Sequence, residues 1–278
     1  MRNRQNVIYT VVAAAVVAIV FGAFTLSRQA SGPVNQSQQR TTQSSHEQTS
    51  EQGSTQATDA AALAKLTYAS GKPAVVAVNH NRSTLNKKDW QRNHVIYSAL
   101  DNENRTSTAN TAYLESRNVA NDSLRVRQYV QPTGWHQKMV NGQAIINRGH
   151  LIAYSLSGGI DQDGEYSPNN ESGDQNNPKN LFTQTAFSNQ TLQTIYESKV
   201  RNALRDNKKV IYQAQAIFQG DNEMANGVHL QAISTDGSLN FNVYIFNVQP
   251  DFQFDYATGR SKVDRGMDVP TPDESPEY

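Results

Sequence analysis

The chain has 278 residues, 25 Lys plus Arg against 25 Asp plus Glu, a formal net charge of +0 and no cysteine. The absence of thiols excludes a disulfide framework and a thiolate metal centre, and the charge balance excludes polyanion binding driven by the overall field, so any such affinity must come from local basic patches. The length accommodates one sizeable folded domain plus extensions, because the first quarter is unlike the rest in composition.

Residues 7–26 carry no charge and are rich in Val, Ala, Ile and Phe, a length that crosses the roughly 30 Å hydrocarbon layer as a helix. Arg2 and Arg4 precede the run, which favours a cytoplasmic N-terminus with the remainder outside the cell. Residues 1–26 therefore read as a single-pass membrane anchor. A cleaved signal peptide, which would leave the protein secreted, is the alternative. Residues 27–66 are dominated by Gln, Ser and Thr and cannot bury enough apolar surface to offset ordering, so a disordered stalk is expected, with a short alanine-rich helix at its end. The folded domain is expected over residues 67–265 and a flexible acidic tail over 266–278.

Within the domain, residues 74–78 and 95–100 have the length and composition of strands, and residues 108–117 are expected to form a helix with Ala109, Ala112 and Tyr113 on its apolar side. Arg125, Arg127 and Lys138 follow, interleaved with Tyr129 and Trp135, a pattern suited to salt-sensitive contact with phosphates. Ile145 and Ile146 then lead into Arg148, Gly149 and His150, so a half-buried strand delivers one histidine to its end. The glycine permits another group to approach the backbone closely there. Residues 157–177 form a long loop of turn-forming residues. Its Asp161 to Gly164 run has a superficial likeness to the start of a calcium loop, but Ser172 stands where the terminal glutamate would be needed.

Residues 186–207 read as a helix carrying Asn189, Glu197 and Arg201. Eight residues at roughly 100° each leave Asn189 and Glu197 about 80° apart around its axis, with Arg201 one turn beyond Glu197. Residues 210–218, 228–234 and 239–248 are expected to be strands of an antiparallel central sheet, the last two joined at Asp236 and Gly237. Taken singly, each polar residue has a plain structural explanation: a cap, a turn or an exposed helix pair.

As an ordered set they resemble a family. Asn147 to His150 (Asn-Arg-Gly-His), then Asn180 in Asn-Pro-Lys-Asn, then Asn189, Glu197 and Arg201, are similar to the DNA/RNA non-specific endonucleases of the ββα-metal (His-Me finger) class, in particular their membrane-anchored, competence-associated streptococcal branch. The resemblance implies an α+β fold with a central, mostly antiparallel sheet flanked by helices. It implies a metal-dependent hydrolase of DNA and RNA phosphodiester bonds, with His150 as general base, Asn189 as the direct ligand of Mg²⁺ (Mn²⁺ as the alternative ion), and Glu197 holding the ion's waters. Asn180 would fix the phosphate or metal-side geometry, Arg201 and Arg148 would stabilise charge on phosphorus, and Arg125 or Arg127 would match the family's upstream substrate-binding pair. The family usually has aspartate where this chain has Asn147, which removes a charge expected to act on a neighbouring imidazole. The rival reading is a non-catalytic cell-surface receptor that holds DNA in the same basic cleft.

Overall fold

Residues 59–273 are described in this computed structural model. Residues 1–58, on which the anchor and most of the stalk fall, lie outside the described residues, as do the last five. Among the described residues no helix is long and apolar enough to cross a membrane.

In chain order the elements are α1 (Ala60–Leu63), β1 (Val75–Ala77), β2 (His94–Ile96), β3 (Asn110–Leu114), β4 (Met139–Val140), β5 (Gln143–Ala144), β6 (Ile146–His150), β7 (Leu181–Thr185), α2 (Thr194–Arg205), β8 (Val210–Ile217), β9 (Gly227–Ser234), β10 (Asn240–Phe246), β11 (Phe252–Asp255) and β12 (Arg260–Val263). Six of the strands form one antiparallel sheet in the order β1-β10-β9-β8-β3-β2. The rest pair as β4-β5, β6-β7 and β11-β12. The expected strand trio is β8, β9 and β10. Along β8, Val210, Tyr212, Ala214 and Ala216 are buried in the core while Gln213 and Gln215 are half-buried on the opposite face, the period-2 pattern of a sheet with one apolar face. Asp236 and Gly237 make the β9–β10 turn, with Gly237 at φ +81°, a conformation open to glycine at little cost.

α2 packs on the sheet through Ile195, Val200, Ala203 and Leu204, and the Tyr196 ring meets Phe241 of β10 at 5.1 Å. A second, smaller apolar cluster joins Ile145, Ile146, Met224, Phe252 and Phe254. It includes Ile146, the first residue of β6.

Three sequence expectations are corrected. Residues 110–114 are strand β3, not helix, with alternating burial. Ala109, Ala112 and Tyr113 fit a helical stripe, but pairing with β2 and β8 on both edges makes the period-2 set Asn110, Ala112 and Leu114 the buried one. The expected alanine-rich helix forms as α1 but belongs to the folded domain and not to the stalk: Asp59 caps it by accepting from the Ala62 amide at 2.7 Å, and Leu63 is wholly buried in the core. The tail is also anchored past residue 266, because Val269 is buried and the Asp268 carbonyl accepts from Gly71 N and the Tyr68 hydroxyl.

Candidate active site

β6 brings the Asn-Arg-Gly-His run into register with β7, so that Asn147 faces Gln184, Gly149 faces Phe182 and His150 faces Leu181. Ile146, Asn147, Arg148 and His150 all line one cavity of about 260 Å³. Consecutive strand residues point to opposite faces, so this cavity runs along the open edge of β6. A second cavity of about 430 Å³ shares Arg125, His150, Tyr154 and Asn189 with it and adds Glu197, Arg201 and Arg205. His150 and Asn189 thus border the same space.

Between β7 and α2 the chain does not run as a uniform α-helix. Ser188–Gln193 is a π-helical stretch, in which each residue turns through less than the ~100° of an α-helix. The expected 80° offset between Asn189 and Glu197 shrinks accordingly, and both side chains line the cleft.

A chain of amides orients the site. The His150 carbonyl can only accept, and it accepts from Gln193 Nε2 at 2.8 Å, as does Glu197 Oε1 at 2.7 Å. Gln193 Oε1 therefore accepts, and it does so from Gln184 Nε2 at 3.0 Å. Gln184 Oε1 in turn accepts from Asn189 Nδ2 at 2.9 Å. The sequence of obligate roles leaves the oxygen of Asn189 as the atom presented to other groups. Gln184 and Gln193 are wholly buried, and neither was singled out from sequence. Gln193 stands one turn before Glu197, the available signal. Gly149 belongs to the same device: a Cβ there would lie 2.1 Å from Gln184 Oε1, so the close approach expected at this glycine is made by Gln184.

His150 is half-buried, with Nε2 3.3 Å from the carbonyl oxygen of Gln175. A carbonyl only accepts, so a proton on Nε2 makes this bond and leaves Nδ1 its lone pair, while Gln128 Nε2 lies 3.4 Å from the same ring nitrogen. Burial, with Arg125 nearby, lowers the imidazole pKa to about 4 against the opposing bond to Gln175. Burial raises the Glu197 pKa, opposed by Gln193, Arg201 and Arg125. Arg201 is nearly buried and donates to Ser155 Oγ at 2.9 Å and Ser198 Oγ at 2.6 Å. Arg148 stacks on Trp135 at 4.3 Å and donates to the Val130 carbonyl. The Arg125 guanidinium lies 5.0 Å over the Tyr154 ring. Arg127 is exposed beside Arg148 and lines neither cavity. The larger cavity is bordered by three arginines and one carboxylate, a local positive field in a chain of zero net charge.

Two assignments change. Asn180 is wholly buried and away from the cleft lining. Its Oδ1 accepts from Ile152 N at 2.8 Å and its Nδ2 donates to Ile152 O at 2.9 Å, so its amide holds the backbone just after His150. Asn147 turns to Asn189, with Nδ2 3.3 Å from Oδ1, and not to the imidazole.

Among the described residues no group of three His, Cys, Asp or Glu side chains could hold a metal ion, so the cleft offers no all-protein cage. It offers one amide oxygen and one desolvated carboxylate. That donor set fits an oxygen-seeking cation that keeps most of its water.

The strand-delivered histidine, amide-presenting helix and arginine-walled cleft fit the class of α+β nucleic-acid-cutting enzymes. Residues 81–236 match the family model for DNA/RNA non-specific endonuclease, and the chain belongs to that family. Its fold is similar to NucA from Streptococcus agalactiae with magnesium ion bound, at 32% identity and a TM-score of 0.59 over 69% of this chain and 87% of that one. The same nuclease with no metal bound gives 32% identity, a TM-score of 0.58 and the same coverage, 69% and 87%. The Sda1 nuclease with bound zinc ion shares the fold at 18% identity and a TM-score of 0.50, over 67% of this chain and 95% of that one. The chain is accordingly a nuclease, and the receptor reading is set aside.

Proposed function

We propose that this endonuclease hydrolyses phosphodiester bonds of DNA and RNA without sequence preference, with His150 as general base and a hydrated divalent cation, Mg²⁺ or alternatively Mn²⁺, held by Asn189, as in the His-Me finger class. The observation that supports the reading is the amide chain from Glu197 through Gln193 and Gln184, which engages Asn189 Nδ2 and leaves its Oδ1 as an acceptor, on a side chain that borders the same cavity as His150.

Nδ1 of His150 takes the proton of the attacking water, and the Gln175 carbonyl keeps the ring in the tautomer that can do so. Arg125 and Arg201 border the cavity and stabilise the extra negative charge on phosphorus, with Arg148 beside the strand edge. Asn189 would hold the cation and Glu197 would accept from its waters, and the ion would supply positive charge to offset the negative charge developing on the phosphate and the leaving oxygen. Arginines and amides facing a cleft bind the backbone common to all nucleic acids, which supports sequence-independent cutting. We further propose, from residues 1–26 and the polar stalk, that the domain is tethered outside the cell membrane.

Plasmid digestion with and without Mg²⁺ and EDTA tests the mechanism. Metal-dependent cutting lost in His150→Ala and kept in His229→Ala is expected, because His229 is a buried side chain bonded to Asn242 Oδ1 at 2.6 Å. Cutting that survives EDTA or His150→Ala overturns it.

A further inference from the structure

Resting on the nuclease reading above, we infer that Gln175 and Asn176 are positioning residues: their side-chain amides hold a basic strap, residues 124–129, as a preset phosphate-binding edge of the cleft.

The strap lies outside every sheet and helix after Leu124, yet its backbone polar groups are met in a regular way. Gln175 Oε1 accepts from Val126 N at 2.6 Å while its Nε2 donates to the Leu124 carbonyl at 3.1 Å. Asn176 Oδ1 accepts from Tyr129 N at 3.0 Å and its Nδ2 donates to the Arg127 carbonyl at 3.4 Å. Each amide takes the carbonyl of one residue and the N–H two residues on, as a peptide does toward its neighbour in a parallel ladder. Two side chains thus do the work of an absent strand. Gln175 brackets Arg125, and Asn176 brackets Gln128 and reaches the peptide of Arg127.

The arrangement ties substrate contact to the base. The carbonyl of Gln175 accepts from both His150 Nε2 and Gln128 Nε2, each at 3.3 Å, so one residue fixes the imidazole with its main chain and the Arg125 segment with its side chain. Gln175 is buried at 9% exposure and cannot let go of the strap by rotating into water. An unsupported loop would have to be ordered each time a nucleic acid bound. A strap already held presents its guanidinium groups without that cost.

The test measures binding apart from cutting. The full-length chain in detergent, carrying His150→Ala and kept in EDTA, is titrated against a short fluorescent DNA duplex by anisotropy between about 50 and 200 mM salt. Adding Asn176→Ala or Gln175→Ala should raise Kd about tenfold and make the slope of log Kd on log salt shallower by about one to two, the loss of one or two phosphate contacts. In the catalytic background, Asn176→Ala should raise KM while leaving kcat and the pH profile within about twofold. Gln175→Glu keeps the acceptor for Val126 N and loses the donor to Leu124, so it should fall between parent and alanine. Unchanged Kd and salt slope in folded variants overturn the inference. If Gln175→Ala does not fold, the half-buried Asn176 decides alone. A His150-intact chain that binds DNA with the expected salt slopes but never cuts it would sink the nuclease mechanism and leave the strap standing.

Discussion

Asn147 Nδ2 lies 3.3 Å from Asn189 Oδ1, so the position where the family usually has aspartate adjoins the proposed metal ligand. An N–H donor there competes with a cation for the same oxygen, whereas a carboxylate would add negative charge beside the ion. Asn147→Asp should therefore lower the Mg²⁺ concentration that gives half-maximal cutting and preserve or raise the rate at saturation. A metal titration that moves the other way, with the fold intact, would show that Asn147 acts on something else.

The pH dependence follows from His150. Its pKa is lowered from 6.5 to about 4 by burial and the nearby Arg125, and a general base works only when unprotonated. The acid limb of kcat/KM should fall near pH 4 and not near 6.5, while bound polyanion shifts the limb of kcat upward. Because the folded value is depressed, the neutral ring's contribution to stability is complete above pH 6.5 and is lost as pH falls through 4. His150→Ala should cost about 10²- to 10⁴-fold in rate and remove that part of the pH–stability profile, which urea melts at several pH values would report.

Gly149→Ala tests the amide chain from the strand side. Its new Cβ would meet Gln184 Oε1 at 2.1 Å and Gln184 Cβ at 2.7 Å, and Gln184 is wholly buried, so it has nowhere to go. The displaced Gln184 no longer directs Asn189. We expect weaker Mn²⁺ binding by electron paramagnetic resonance and a stability loss of about 1–3 kcal/mol. Undisturbed metal binding would separate Gln184 from the orientation of Asn189.

Asn180→Ala should act on stability and not on the metal. It removes the partners of the Ile152 N–H and the Ile152 carbonyl, and a buried backbone group left unpaired costs about 1–3 kcal/mol. Chemical unfolding should shift by that amount with Mg²⁺ affinity unchanged. A selective loss of metal affinity would return Asn180 to the site.

Much of this was legible in the residues. The alternation in 210–218 and the Asp236-Gly237 turn are local signals, and β8 to β10 form where they indicate because strand period and turn chemistry act over a few residues. Residues 108–117 misled because a short segment satisfies both periods, and only the neighbours β2 and β8 select the strand. At the site, the resemblance picks out His150, Asn189, Glu197, Arg201 and Arg125, and all five border one cavity. Asn180 is buried against the Ile152 backbone, a placement that sequence does not reveal because an amide at that spacing has the same chemistry whether it faces substrate or a backbone carbonyl.

The linear order of residues by itself determined the family, the strand that ends in His150 and the helix that carries Asn189 and Glu197, because each depends on neighbours within a turn or a strand. Tertiary structure alone decided how the amides around Asn189 are oriented, which groups meet the His150 ring and what holds the Arg125 segment in place. Those choices belong to Gln184, Gln193 and Gln175, glutamines whose partners lie far apart in the chain as well as nearby. A glutamine can donate or accept at either end, so its role is set by the groups that folding puts around it.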